Sequence, residues 1–144
     1  MIYKSVMNFK LWIESEEKVM GININDSEQA FTSQILSGEK TIETRKSKSL
    51  NPYIGKKVGL IRTGVGQATL VGYATVGTPV IYKNAMEFDK DYKKHLVDSD
   101  SIHHISKSIT GLKWGYPLTN VEKTEPVKIT STGRIARKIN FPVE

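Results

Sequence analysis

Short β-forming segments separated by glycine and proline breaks fill most of this chain, with only two stretches of helical spacing between them. Short strands cannot bury a hydrophobic face alone, so they must pair into a sheet. One early helix, one inserted helix and strands elsewhere predict an α+β fold, most simply a small, closed or nearly closed β-barrel with helices at its rim. The predicted strands cover residues 21–24, 41–45, 58–63, 67–76, 80–82, 112–121 with a bend at Pro117, 127–129 and 134–139.

The first predicted helix follows an acidic cap. Asp26 fits an N-cap, and Gln29 can reach back to it from the third position. Phe31 and Ile35 are about one helical turn apart, so both should face the core. Gly38 supplies the C-terminal stop, because glycine readily adopts the left-handed conformation that ends helices.

A second helix is predicted from Asn84, a residue type whose side chain caps helices well. Ala85, Phe88, Tyr92 and Leu96 follow at spacings of three and four residues, which places them on one helical face. We therefore expect one helix through this segment, inserted between two strands.

The length of 144 residues favours one ordinary domain over two independent cores. We expect this domain at residues 20–144, after an N-terminal extension at residues 1–19. The chain has no cysteine, which excludes disulfides, thiolate metal ligands and a cysteine nucleophile. No apolar run approaches the ~18 residues of a membrane-spanning helix. The start also lacks the apolar region of a signal peptide, so we expect a cytoplasmic protein with no membrane partner.

The net charge of +6 is concentrated in two segments. Residues 38–62 carry seven basic and two acidic side chains, and residues 104–139 carry the same numbers, so each segment has a net charge of +5. If the fold brings the two segments together, they form one positive surface suited to phosphate. The alternative is that these side chains are simply solvated on the surface of a basic protein.

The most informative segment is GEKTIETR at residues 38–45, which leaves the first helix and enters a strand. Glu43 and Arg45 are two residues apart in that strand and therefore share a face. Lys40 lies just before the strand, so the three charged groups could meet at the mouth of a barrel. Arg45 would then bind phosphate or a carbonyl, and Lys40 would act as base or nucleophile if its pKa were lowered, with Glu43 as its partner. The alternative is a surface ion pair worth ~0–1 kcal/mol.

Four further side chains are candidates for ligand contacts. Trp114 and Tyr116 share one strand face, where they would either stack on a base or pack in the core. Arg62 and Lys113 would either contact phosphate or remain solvated.

The three histidines do not predict a metal site. His103 and His104 are adjacent and point in different directions in any regular element, and no acidic ligand stands at a recognised spacing from them or from His95. No Ser–His–Asp arrangement stands out either. We therefore predict no metal and no cofactor.

Several of these features together resemble the ASCH domain family of the PUA-like superfamily. The family pattern is an apolar helix followed by G-x-K-x-x-E-x-R, which residues 38–45 match with Lys40, Glu43 and Arg45. A late aromatic strand completes the resemblance, which covers about residues 20–130. That strand reads Lys113-Trp-Gly-Tyr-Pro-Leu-Thr-Asn-Val121.

The resemblance implies a PUA-like β-barrel of five to six mostly antiparallel strands, with a cleft for RNA or a nucleoside-like molecule. Lys40, Glu43 and Arg45 map onto the cleft motif. Some ASCH-type proteins resemble amidohydrolases that act on an N4-acylated cytidine, and others resemble ribonucleases or RNA-binding modules. The amidohydrolase pattern has threonine where this chain has Glu43. The resemblance therefore implies a binding domain, or alternatively a hydrolase that uses Lys40 and Glu43; the oligomeric state stays open.

Overall fold

A computed structural model describes the backbone of residues 17–129 and 136–141 and the side chains of residues 19–129. The predicted extension, residues 1–19, lies mostly outside the described residues, as do residues 134 and 135 of the last predicted strand. In this part of the chain, no helix is long and apolar enough to cross a membrane. The elements are β1 (Glu17–Asn25), α1 (Phe31–Ser37), β2 (Ile42–Arg45), β3 (Lys57–Thr63), β4 (Thr69–Val76), β5 (Val80–Tyr82), α2 (Ala85–Lys90), α3 (Tyr92–His95), β6 (Lys113–Lys128) and β7 (Ala136–Phe141), with 3₁₀ turns at Asn51–Tyr53 and Ile105–Lys107.

One curled, mixed sheet holds the described strands together. Its order is β2-β6-β4-β3-β1-β7, and β5 pairs with β6 beside this path. β1 and β3 run parallel, and the other paired strands run antiparallel. The sheet curls into a half-barrel accompanied by few helices, which confirms the predicted α+β fold and its likeness to a small PUA-like barrel.

The hydrophobic core is formed by strand side chains and α1. Phe31 and Ile35 are 4% and 0% exposed, as their spacing predicted. Burial of each such side chain contributes about 1.5–3 kcal/mol, so α1 is held by its apolar face. Gly38 ends the helix at a φ of 86°, with its amide donating to the Ile35 carbonyl. The chain then reverses and enters β2 within four residues, which places the charged motif beside the core.

The start of α1 differs from the prediction. The helix begins at Phe31, and Ala30 rather than Asp26 occupies the N-cap position. Asp26 continues the contact of β1 with β3, since its amide donates to the Thr63 carbonyl. Its carboxylate accepts hydrogen bonds from the amide and the hydroxyl of Thr32. Asp26 therefore secures the first turn of α1 from outside the helix, a role that local spacing does not reveal.

The predicted second helix is two short helices. Asn84 caps α2 as predicted, because its side-chain oxygen accepts the backbone amide three residues later. The chain then turns at Asp91, whose carboxylate accepts a hydrogen bond from the Tyr82 hydroxyl at 2.7 Å. Tyr92 is 42% exposed instead of facing the core, and Leu96 ends α3 with a φ of 58°. The hydrogen bond between Asp91 and Tyr82 of β5 thus lies at the point where the predicted single helix is interrupted.

β6 is one strand of 16 residues where two strands were predicted. Its pairing with β4 shifts register twice, and Asn120 adopts a φ of 50°. The irregularity thus falls at Asn120, whereas the bend was predicted at Pro117, which pairs regularly with Ile42. Because β6 pairs with β2 and β5 at its start and with β4 beyond, it carries Lys113 to the end of the sheet that holds the charged motif.

Candidate functional site

A cavity of about 230 Å³, here called the main cavity, opens where β1, β2 and the start of β6 come together. β1 contributes two asparagines at alternate positions, which face the same side of the strand. β2 contributes two residues of the charged motif, and β6 and the loop before it contribute one side chain each. These six lining residues are Asn23, Asn25, Glu43, Arg45, Lys113 and His103.

A second opening of about 30 Å³, here called the small cavity, adjoins the main cavity. The two share Asn25, Glu43 and His103 as lining residues, and the small cavity extends to Phe31 and Lys40. Its volume is about that of one water molecule. The small cavity therefore links Lys40 to the main cavity but cannot itself hold a larger ligand.

Glu43 lies at the centre of the charged motif and is 7% exposed. One of its carboxylate oxygens accepts a hydrogen bond from Arg45 Nη2 at 3.0 Å, and the other lies 3.8 Å from Lys40 Nζ. Arg45 Nη2 also donates to the Asn23 carbonyl at 2.7 Å, which fixes β2 against β1. The structure thus brings together the three groups of the sequence motif; Lys40 and Glu43 are buried and Arg45 is partly buried.

Lys40 is 1% exposed and is held by several contacts. Its ammonium group donates to the His95 carbonyl and lies 4.6 Å from the centre of the Phe31 ring. Burial lowers the pKa of Lys40 to about 8; Glu43 opposes this shift and Arg45 adds to it. A lysine with this pKa is neutral to about one tenth at pH 7, far more than an exposed lysine, and the neutral form is what a general base requires.

Lys113 is also buried, at 2% exposure, but its environment differs. Within residues 19–129, no hydrogen bond or ion pair holds its ammonium group, although the side chain lines the main cavity. Burial lowers the pKa of Lys113 to about 8; Glu43 opposes the shift, while Lys46, Arg45 and Lys40 add to it. An ammonium group that is largely desolvated is stabilised by a negatively charged partner or by a carbonyl oxygen.

Other lining residues also present polar atoms that are not paired. His103 Nε2, Ser49 Oγ and Arg45 Nε are buried and have no hydrogen-bond partner in the part of the chain described. The pKa of His103 is lowered, chiefly by burial and then by Lys113, so its ring is neutral near pH 7. Together with Lys113, these atoms give the main cavity both donors and acceptors for a polar ligand.

Sequence reasoning missed His103 and the two asparagines of β1 as site residues. Asn23 and Asn25 alternate with the buried Ile22 and Ile24, which is a usable signal, because polar residues on the other face of an apolar strand point to a second environment. His103 gave no such signal, since it lies in a loop that reaches the cavity only in the folded chain.

The remaining predicted site residues lie elsewhere. Tyr116 is fully buried and its hydroxyl donates to Asn51 Oδ1 at 2.6 Å. It therefore packs in the core, which was the alternative to stacking on a base. Trp114 is partly buried and packs against the same core cluster. Arg62 lies on β3 and lines a different cavity, on the side of α1 and the later part of β6.

The other two histidines have structural contacts. His95 Nε2 lies 2.7 Å from the Phe88 carbonyl, and His95 Nδ1 accepts the Val97 amide. His104 Nε2 lies 2.8 Å from Asp89 Oδ1, and His104 Nδ1 lies 2.8 Å from Ser106 Oγ. This Asp–His–Ser contact was not predicted. Because His104 Nδ1 also accepts the Ser106 amide, the arrangement caps the 3₁₀ turn at Ile105–Lys107.

Comparison with known proteins gives matches in structure only. No protein-family model matches the sequence, and no curated protein sequence matches it. The crystal structure of ASCH from Zymomonas mobilis is similar, with a TM-score of 0.67, 14% sequence identity, and coverage of 85% of this chain and 87% of that chain. A serine-to-alanine variant of that protein gives a TM-score of 0.65 at 14% identity, with coverage of 87% and 90%. A tyrosine-to-phenylalanine variant gives 0.65 at 15% identity, with coverage of 85% and 91%.

Proposed function

We propose that this chain, which has the fold of an ASCH domain, binds RNA or a nucleoside-like ligand in the main cavity. The observation that carries the proposal is the state of Lys113, a buried side chain that lines the cavity and whose ammonium group makes no hydrogen bond or ion pair among the described residues. A largely desolvated cation at a cavity wall is stabilised by a ligand that supplies an anion or an acceptor. A phosphate group or a base carbonyl supplies one.

Charge and size support the same ligand class. Arg45, Lys46 and Lys113 line the main cavity, and Glu43 is the one acidic side chain among its described lining residues. Such an excess of cations attracts phosphate, and an arginine can hold it through two hydrogen bonds. The volume of about 230 Å³ is below the ~300–1,000 Å³ of cavities for drug-sized ligands, which favours a single nucleotide unit.

The test is to incubate the protein at low salt with modified nucleosides and with single-stranded and duplex RNA oligomers, and to analyse retained and converted species by mass spectrometry. We expect Lys113→Met to lose about tenfold or more in affinity for whatever the wild type retains, since a charge-assisted contact is removed. The matched control is Lys107→Met, an exposed lysine in the turn before β6. No retention by the wild type, or equal affinity in both variants, would contradict the proposal.

A second candidate function is hydrolysis of an acylated nucleoside or of RNA, with Lys40 and Glu43 as partners. The observation that favours it is the pKa of Lys40, which burial lowers to about 8 beside the Glu43 carboxylate. In this role the neutral amine accepts a proton from water as the water attacks the acyl carbon or the phosphorus, and Glu43 orients the amine. The acyl C–N bond or the P–O bond to the leaving hydroxyl then breaks, and the protonated Lys40 returns its proton to the departing nitrogen or oxygen.

The same mixtures test this candidate through conversion of the substrate. Lys40→Met should abolish turnover while the far-ultraviolet circular dichroism stays unchanged, and the wild-type rate should rise with pH towards about 8, where Lys40 loses its proton. Lys56→Met, at an exposed position before β3, is the control. Unchanged turnover in Lys40→Met would remove Lys40 from the chemistry.

A further inference from the structure

A second basic cavity, here called the Arg62 cavity, lies between α1, β3, β4 and the later part of β6 and has a volume of about 390 Å³. Two cationic side chains, Arg62 and Lys123, line it together with the hydroxyl groups of Ser33, Ser37 and Thr124. None of the described residues that line it is acidic. Cations combined with hydroxyl donors form the usual protein environment of a phosphate group.

Arg62 itself lacks a partner in the described part of the chain. Its side chain is partly buried, its Nε atom is inaccessible to solvent, and it makes no hydrogen bond or ion pair there. The carboxylate of Asp26 acts on it electrostatically, but both oxygens of that carboxylate already accept hydrogen bonds from Thr32. The planar fork of an arginine is suited to hold a phosphate through two hydrogen bonds, and here the fork is unused.

The Arg62 cavity borders the same elements as the main cavity but is a separate site. The parallel register of β1 and β3 pairs Arg62 with Ile24, whereas Asn23 and Asn25 of the main cavity flank Ile24 and face the other side of β1. At the start of α1, Phe31 lines the small cavity and the next residue, Thr32, lines the Arg62 cavity.

We propose that the Arg62 cavity binds a phosphate group of an RNA strand. This inference rests on the proposed function and narrows it, because the ligand is then a polynucleotide. A free nucleoside carries no phosphate and fills only the main cavity. An RNA strand carries a phosphate at every nucleotide, so it supplies an anion for Arg62 that a nucleoside lacks.

The test compares two probes on the whole protein: a fluorescein-labelled, short single-stranded RNA oligomer followed by fluorescence anisotropy, and cytidine followed by NMR titration. Arg62→Gln should weaken oligomer binding about tenfold and reduce the salt slope by about 0.7, with no change in affinity for cytidine. Lys123→Gln, at an exposed position, should weaken oligomer binding about threefold. Lys90→Gln, which removes an exposed charge at the end of α2, should change it less than about twofold.

Each remaining outcome overturns a stated claim. Equal oligomer affinity in Arg62→Gln, Lys123→Gln and Lys90→Gln would overturn the Arg62 phosphate site and leave the proposed function intact. Wild-type protein that binds cytidine but not the oligomer would likewise overturn the Arg62 phosphate site and leave the proposed function intact. Binding of neither probe would contradict the proposed function as well. If thermal melting shows that Arg62→Gln is unfolded, Lys123→Gln still decides, because its side chain is exposed and its removal leaves the core unchanged.

Discussion

At the scale of residues, burial decides what the charged side chains can do. Lys40 and Lys113 are similarly buried, and each has its pKa lowered to about 8, mainly by that burial. Lys40 is compensated by a backbone carbonyl, by Glu43 and by the Phe31 ring. Lys113 is compensated only by the electrostatic effect of Glu43 and makes no hydrogen bond or ion pair within the described residues. Lys40 therefore holds the site together, and Lys113 is available to a ligand.

The two buried lysines predict that stability rises with pH from about 8 to about 10. Their pKa is 10.5 in the unfolded chain and about 8 in the folded one, so in this range the unfolded chain binds more protons and a rise in pH favours folding. Above this range the buried Tyr82, whose pKa is raised, acts in the opposite direction. Urea unfolding across the range measures the effect, and a flat profile would contradict it.

Lys113→Met should remove about half of that rise. It should also increase the free energy of unfolding at pH 7 by about 1–3 kcal/mol, because it removes a cation that burial makes unfavourable. Lys107→Met, at an exposed position, should change neither quantity. A variant that is more stable but no longer binds ligand would show that Lys113 is kept for function.

At the scale of elements, β4, β6 and α1 pack close together at a position that has no side chain. A Cβ atom at Gly72 of β4 would lie 2.3 Å from the Glu122 carbonyl oxygen of β6 and 2.7 Å from a methyl group of Leu36 in α1. The two register shifts between β4 and β6 flank this position. The absent side chain thus lets α1 approach the sheet, where Leu36 forms one wall of the Arg62 cavity.

Gly72→Ala should therefore lower the free energy of unfolding by about 1–3 kcal/mol, because the added methyl group meets backbone that cannot move away. Gly77→Ala is the matched comparison, since its Cβ would lie 3.3 Å from Pro117 and needs only a small adjustment. Urea unfolding of both variants is the measurement. Equal stability of the two would show that β4 and β6 can separate at no cost.

At the scale of the whole molecule, the sheet joins the two basic segments of the sequence. Pairing of β2 with β6 brings residues 42–45 of the first segment against residues 114–117 of the second. The main cavity takes Lys46 from the first segment and Lys113 from the second, and the Arg62 cavity takes Arg62 and Lys123 in the same way. Each cavity therefore brings together two positively charged side chains that lie more than 50 residues apart in the sequence.

The logarithm of the affinity for single-stranded RNA should fall linearly with the logarithm of the salt concentration. Each neutralised phosphate contributes about 0.7 to the slope, so occupation of both cavities predicts a slope of at least about 1.4. Cytidine, which is uncharged, should bind with little salt dependence. Anisotropy titrations at several salt concentrations measure the slope, and RNA binding that is independent of salt would contradict an electrostatic site.

The sequence predicted the parts of this fold that depend on neighbouring residues. β-forming segments bounded by glycine and proline breaks predicted most of the strands, helical spacing placed Phe31 and Ile35 in the core, and Gly38 marked the end of α1. Predictions of single elements were wrong where a distant contact intervened, as when Asp91 binds Tyr82 and one helix becomes two. Local periodicity carries no information about such partners.

The same division holds for the candidate site. Lys40, Glu43 and Arg45 lie within six residues, so the sequence alone determined that they would be neighbours. Only the tertiary structure decided that Tyr116 lies in the core, that Lys113 is buried with no hydrogen bond or ion pair among the described residues, and that His103 reaches the main cavity. The physical reason is that burial and electrostatic environment depend on strands paired across long sequence separations, whereas backbone preference and side-chain alternation act within a few residues.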